Sequence, residues 1–202
     1  GWTDLFFYNA EEGEGKFYST DGSGRIRLLG EPGTFHTGWT SIVAGEFGGD
    51  DRTDLIFYDK ATGLAQLSTT DGRGGLDVLI EDVDWIAGWD QIVPGTFGGE
   101  DGLTDLFLFD AETGTATFLT ADSTGGFTPL GDTEPFSTPW TTIMAGDFGG
   151  DTTLTDLFLY DAEQGLGRYY LTDGQGGLEQ LSSSNTFPKG WDQIIPVRFA
   201  SS

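Results

Sequence analysis

Trp39-Thr-Ser-Ile-Val-Ala-Gly-Glu-Phe47, continued by Gly-Gly-Asp-Asp-Arg-Thr-Asp54-Leu-Ile-Phe-Tyr58, holds the landmarks that recur through the chain. The tryptophan returns as Trp89, Trp140 and Trp191, in steps of 50, 51 and 51 residues. Phe47, Phe97, Phe148 and Phe199 keep those steps, and Asp4, Asp54, Asp105 and Asp156 run in the same rhythm. A period of this length marks a repeat architecture. Counting from Asp156 through the last residue and on to Asp4 again gives 50 positions. The repeat is thus split across the termini. An open solenoid wants atypical caps at its ends, whereas a ring gains by pairing its terminal segments and removing a free sheet edge. The expectation is a closed circle of four units, at about 3–52, 53–103, 104–154 and 155–202, forming one domain over residues 1–202.

Within a unit every run reads as strand. Asp54-Leu-Ile-Phe-Tyr-Asp59 is a short apolar run, and Lys60-Ala-Thr-Gly63 turns the chain. Leu64 to Thr70 alternates in part, Asp71 to Gly75 turns again, and Leu76 to Ile80 is a third strand. A longer variable segment leads into Trp89 to Phe97, the fourth. The Asn/Asp…Gly turns at 9–13, 59–63, 110–114 and 161–165 supply a residue that tolerates positive φ. No stretch has a helical apolar period with caps. Four strands in each of four units predict an all-β, four-bladed β-propeller with antiparallel blades, one blade being closed by the N- and C-terminal segments. The Asp54–Asp59 type of run is apolar on both faces, as a strand sandwiched between neighbouring blades should be. The Ile-Val-Ala-Gly strand (42–45) mixes β-branched and very small residues and is placed innermost, where strands crowd the axis.

Composition narrows the partners. Against 33 acidic residues stand 9 basic ones, a formal charge of −24. Nucleic acid and anionic membrane surfaces both demand a basic footprint and are excluded. Like charge on this scale keeps a secreted protein monomeric and dispersed, and secretion and a monomer are expected. The absence of cysteine excludes disulfides, thiolate metal sites and thiol catalysis. No apolar stretch reaches transmembrane length, and no signal peptide is read; the first residues already belong to a unit, so any export signal would precede them.

Ala-Gly-Glu46-Phe-Gly-Gly-Asp-Asp-Arg-Thr-Asp54-Leu and Ala-Gly-Asp147-Phe-Gly-Gly-Asp-Thr-Thr-Leu-Thr-Asp156-Leu resemble FG-GAP/VCBS repeats. That family, which includes the integrin α-subunit head, builds β-propellers whose loop after the first strand often binds calcium. Four equal units are fewer than its usual seven. The resemblance implies oxygen ligands at loop positions 1, 3, 5 and 9. Position 1 is Glu46, Thr96, Asp147 or Arg198; position 3 is Gly48, Gly98, Gly149 or Ala200; position 5 is Asp50, Glu100, Asp151 or Ser201. The last is Asp54, Asp105, Asp156 or Asp4. Calcium, if any, is therefore expected on Glu46, Asp50 and Asp54 or on Asp147, Asp151 and Asp156, against the alternative that each aspartate caps its own loop.

A second constellation is aromatic. Four residues before each landmark tryptophan stands Phe35, Trp85, Phe136 or Phe187, in segments that otherwise share little sequence. With Trp39, Trp89, Trp140 and Trp191 they would place up to eight rings on one face, beside His36, Asp84, Asp90, Gln91, Ser137, Asp192 and Gln193. Flat rings beside hydrogen-bonding groups suit sugars; packing between blades is the competing use of the four tryptophans. Asp90, Gln91, Asp192 and Gln193 are the candidate hydroxyl partners. His36 is the only histidine, and the axial strands carry no asymmetric acid pair, so an enzyme is not expected. The reading is a secreted, lectin-like carbohydrate-binding module with repeated sites on the variable-loop face. A protein-interaction propeller domain of a larger secreted protein is the alternative, and a glycoside-active enzyme a more distant one.

Overall fold

Turn chemistry cuts each repeat into strands at the expected places. The structure, a computed structural model, describes residues 3–98, 102–132, 135–136, 140–150, 153–181, 185–191 and 193–197, with the backbone alone at 82–84. Sixteen strands are described: β1 (Leu5–Asn9), β2 (Glu14–Thr20), β3 (Ile26–Thr34), β4 (Ser41–Gly45), β5 (Asp54–Tyr58), β6 (Leu64–Thr70), β7 (Leu76–Asp84) and β8 (Gln91–Gly95), then β9 (Asp105–Phe109), β10 (Ala116–Ala121), β11 (Phe127–Pro129), β12 (Thr142–Gly146), β13 (Asp156–Asp161), β14 (Leu166–Thr172), β15 (Leu178–Gln180) and β16 (Asn185–Thr186). The fold is all-β. Among the described residues no helix is long and apolar enough to cross a membrane.

The strands form four antiparallel sheets, in the orders β1-β2-β3, β4-β5-β6-β7, β8-β9-β10-β11 and β12-β13-β14-β15, with β16 also on β14. Register repeats with the sequence: Val43 faces Ile56, Val93 faces Phe107 and Met144 faces Phe158. The chain divides into two compact units, Gly1–Ala87 and Gly88–Ser202, each holding two sheets.

In the first unit, Phe6, Phe17 and Phe35 of the first sheet and its exit segment pack against Trp39, Leu55 and Phe57 of the second. In the second unit, Phe107, Phe118 and Phe136 share a core with Trp140, Leu157 and Leu159. There the inner strands also touch through hydrogen bonds. Ile143 N–H donates to Gln91 Oε1 at 2.7 Å, Thr96 N–H to Thr155 Oγ1 at 2.9 Å, and Thr155 N–H to the Thr96 carbonyl at 2.8 Å.

One clip recurs in all four repeats. Gly13, Gly63, Gly114 and Gly165 each close the first turn at φ between 65° and 79°. Their carbonyls accept the N–H of Phe35, Trp85, Phe136 and Phe187 respectively. A Cβ on any of these glycines would collide with the carbonyl oxygen of that same aromatic residue, and the left-handed φ disfavours a side chain in any case.

The runs expected to be buried on both faces are so in β5, β9 and β13. β1 differs, alternating exposed and half-buried, with Leu5 43% and Phe7 53% accessible. Its sheet has three strands rather than four, and residues 193–197, expected to supply the fourth, form no strand. Phe6 packs toward the second sheet, whereas Leu5 and Phe7 point to the opposite face, which among the described residues no other sheet of this unit covers, and that accounts for the exposure. Phe199, also expected there, lies outside the described residues.

Candidate functional site

The acidic loops come first, because their carboxylates are already engaged. Asp54 is fully buried, and its Oδ2 accepts N–H bonds from Phe47 at 2.9 Å and Gly48 at 2.7 Å. Asp105 does the same for Phe97 and Gly98, and Asp156 for Phe148 and Gly149. Glu46 Oε1 accepts from Gly49 at 2.6 Å and Asp50 at 3.1 Å. Asp50 turns instead to Arg52, its Oδ1 taking the backbone N–H and its Oδ2 the guanidinium at 2.9 Å. Asp147 is exposed, and Asp151 lies outside the described residues. Among the described residues no three carboxylate or histidine groups gather as a metal-holding cluster. A hard cation wants six to eight oxygens, and in the first acidic loop the side-chain oxygens face separate amides while Gly48 contributes none. In that loop the residues present fit capping rather than calcium. Burial pushes the Asp105 carboxyl above its ordinary value, opposed by the N–H bonds from Phe97, Ala121 and Gly98.

The aromatic landmarks divide. Trp39, Trp89 and Trp140 are buried; Trp140 carries the Arg168 guanidinium 5.3 Å above its ring. Trp191 is 52% accessible and borders an apolar hollow of about 410 Å³ with Phe187, Phe158, Tyr169, Met144 and Gln193. The four loop aromatics are half-buried, and each has a ring partner. Phe35 stacks on Phe57 at 5.4 Å, Trp85 lies 5.9 Å from Tyr58, Phe136 meets Tyr170 edge-on at 5.7 Å, and Phe187 meets Phe158 at 5.7 Å. Their constant register follows from the glycine clip.

Of the proposed hydroxyl partners, Asp90 Oδ2 accepts the N–H of Ala111 at 2.9 Å. Gln91 spans to the neighbouring sheet as described above, and Gln193 is exposed. Asp192 and Ser137 lie outside the described residues, as does the side chain of Asp84.

What the structure adds is a cleft within the first unit, between β2–β3 and β6–β7, of about 390 Å³. Phe35 and Trp39 form its apolar wall, and Gln66, Ser68, Glu31, Glu81 and His36 supply polar groups. The glycines of the first sheet make the wall possible: a Cβ at Gly15 or Gly33 would strike the Phe35 ring. The His36 ring stands edge-on to Trp39 at 5.1 Å, and Gln66 Nε2 donates to Ser68 Oγ at 2.9 Å. The second unit repeats this gap with different residues. Arg168 stands where Gln66 does and Tyr170 where Ser68 does, because Leu159 faces Arg168 and Leu157 faces Tyr170 as Phe57 and Leu55 face Gln66 and Ser68.

No family model matches the chain, and no curated protein does. The cleft is therefore read from its own chemistry.

Sequence reasoning found Phe35, Trp39 and His36 but not Gln66, Ser68, Glu31 or Glu81. A signal was present: the paired positions read Lys16/Tyr18, Gln66/Ser68, Thr117/Leu119 and Arg168/Tyr170 in the four repeats. The second pair alone joins an amide to a small hydroxyl.

Proposed function

We propose that this chain is a carbohydrate-binding module that works outside the cell, its sheets being the blades of a four-bladed β-propeller of the FG-GAP/VCBS kind. The fourfold spacing of the landmarks, the common strand register and the face-to-face sheets inside each unit support the propeller. In that reading residues 193–197 supply the missing strand of the first sheet. Trp191 to Ile195 follow the pattern of Trp39 to Val43, and both Leu5 and Phe7 present apolar surface in need of cover.

One observation carries the sugar reading: the first unit holds a cleft that pairs aromatic rings with an amide, a buried hydroxyl and two carboxylates. Carbon-bound hydrogens of a sugar face gain from ring contact, and its hydroxyls meet amide and carboxylate partners. The charge of −24 suits a dispersed extracellular protein. Binding without catalysis fits a chain whose sole histidine stands exposed at the rim.

The test is a glycan array probed with the intact chain, followed by titration calorimetry on the retained sugars. Saturable binding of a neutral glycan is the expected result. Retention of no glycan sinks the carbohydrate reading and moves a protein partner to the front.

A further inference from the structure

We infer that sugar recognition resides in the first unit's cleft between β2–β3 and β6–β7, taking a single neutral hexopyranose, and that the equivalent gap of the second unit is closed by its own side chains. This rests on the carbohydrate reading and departs from the expectation of one site per repeat.

Three observations carry it. The two gaps share their frame: Phe35 and Trp39 in one correspond to Phe136 and Trp140 in the other, and both aromatic segments hang from the same glycine clip. They differ in filling. Tyr170, only 9% accessible, lies against Phe136, and Arg168 covers Trp140. Gln66 and Ser68 are shorter in the first unit, and what remains is the cleft of about 390 Å³. That volume is at the low end for a small-molecule site, which suits one sugar ring better than a length of polysaccharide.

The polar groups set the ligand's chemistry. Gln66 spends one N–H on Ser68 and keeps its carbonyl oxygen and second N–H for a ligand. Such an amide can accept from one sugar hydroxyl and donate to the next. Glu31 and Glu81 line the cleft, and among the described residues no lysine or arginine does. Carboxylates accept from hydroxyls strongly but repel a second carboxylate, so uronic and sialic acids are disfavoured. His36 borders the same space, and as the only histidine it gives one ring signal that reports on the cleft.

The experiment titrates the full chain with methyl glycosides of glucose, galactose, mannose, fucose and N-acetylglucosamine, and with methyl glucuronoside. Calorimetry gives the stoichiometry, and the His36 ring carbon–proton signal gives the location. The expected result is one neutral glycoside per chain, a His36 shift that saturates with it, and at least tenfold weaker binding of the glucuronoside. The double variant Gln66→Arg, Ser68→Tyr copies the filled gap and should lose binding at least tenfold while melting within a few degrees of the parent. Gln66→Ala, which removes the amide without filling the space, should weaken binding too, and it decides the matter if the double variant does not fold.

Binding of neutral glycosides that is indifferent to these substitutions, or leaves His36 unmoved, overturns the cleft but leaves the carbohydrate reading standing. Two or more sugars per chain overturns the single-site inference. Binding of none of the glycosides overturns both.

Discussion

The two gaps between sheets, one in each unit, are built alike and finished differently. Both have a buried tryptophan at the entry to an inner strand and a phenylalanine clipped four residues before it. In the second unit Tyr170 and Arg168 complete a continuous core; in the first, Gln66 and Ser68 leave an opening. The backbone tolerates both because strand pairing is satisfied by the ladder, whichever side chains stand on it. Whether the gap is open or filled is thus set by a pair of alternate positions on one strand, whereas the landmark residues, although more visible, supply the walls.

The largest expected effect breaks the comparison at its filled end. Tyr170→Ala should leave a cavity beside Phe136 and cost about 3 kcal/mol, near the lower end for large aromatic-to-alanine changes in a core. Ser68→Ala removes one hydroxyl acceptor and should cost about 1 kcal/mol or less. Urea titrations of the two variants measure the contrast. Equal costs would mean that the gaps are packed alike and that the cleft is no weak point.

A smaller effect is expected at the acidic loops, which occur in both units. Asp54→Ala in the first and Asp156→Ala in the second each strand three backbone N–H groups. Each should cost on the order of 1–3 kcal/mol. Since the carboxylates serve as caps, chelator and millimolar calcium should give the same melting temperature. A rise with calcium concentration, the mark of a ligand that binds only the folded state, would restore the metal reading for one unit or both.

The smallest effects concern pH. Asp21 and Asp71 in the first unit and Asp122 in the second sit in Asp-x-x-Gly turns and hold their carboxyls below the ordinary 3.8. For Asp21 and Asp122 the leading cause is a side-chain hydrogen bond, from Ser23 and Thr124 respectively; for Asp71 it is the N–H of Gly75. A depressed folded value favours the folded state above the unfolded value. That contribution is lost as pH falls below 3.8 and through the folded value. Asp105 has the opposite sign. Its raised folded value makes its contribution fully present below 3.8 and lost as pH rises through the folded value. Following the carboxyl carbons by NMR from pH 6 to pH 2 should give late titration at the three turns and early titration at Asp105. A single common midpoint would remove both statements.

Much of the fold was legible in the residues. The expected Leu64–Thr70 strand is β6 residue for residue, because Asp/Asn and Gly fix its turns. The third strand outran its expected end at Ile80 and continues to Asp84, since pairing with Leu64 and Ala65 carries it on. The site was less legible. Depth in a gap depends on side chains from two repeats at once, and a periodic reading compares equivalent positions rather than facing ones. Asp90 has a structural duty of the same kind: Thr40, Asp90 and Thr141 each accept an N–H from the first turn of their sheet, at Lys60, Ala111 and Ala162. A short acceptor after every landmark tryptophan was the sign of that duty. At the acidic loops spacing counts carboxylates and does not say which amides they turn toward.

The glycine clip has an evolutionary corollary. Each one closes inside a single repeat, from turn glycine to aromatic residue, and borrows nothing from the next copy. A duplicated stretch of about 50 codons therefore inherits this clip intact, while its apolar face still waits for a neighbouring copy to cover it. The copies are then free to drift apart at two codons on one strand, where one gap is filled and the other left open, without disturbing the turn that holds the wall in place.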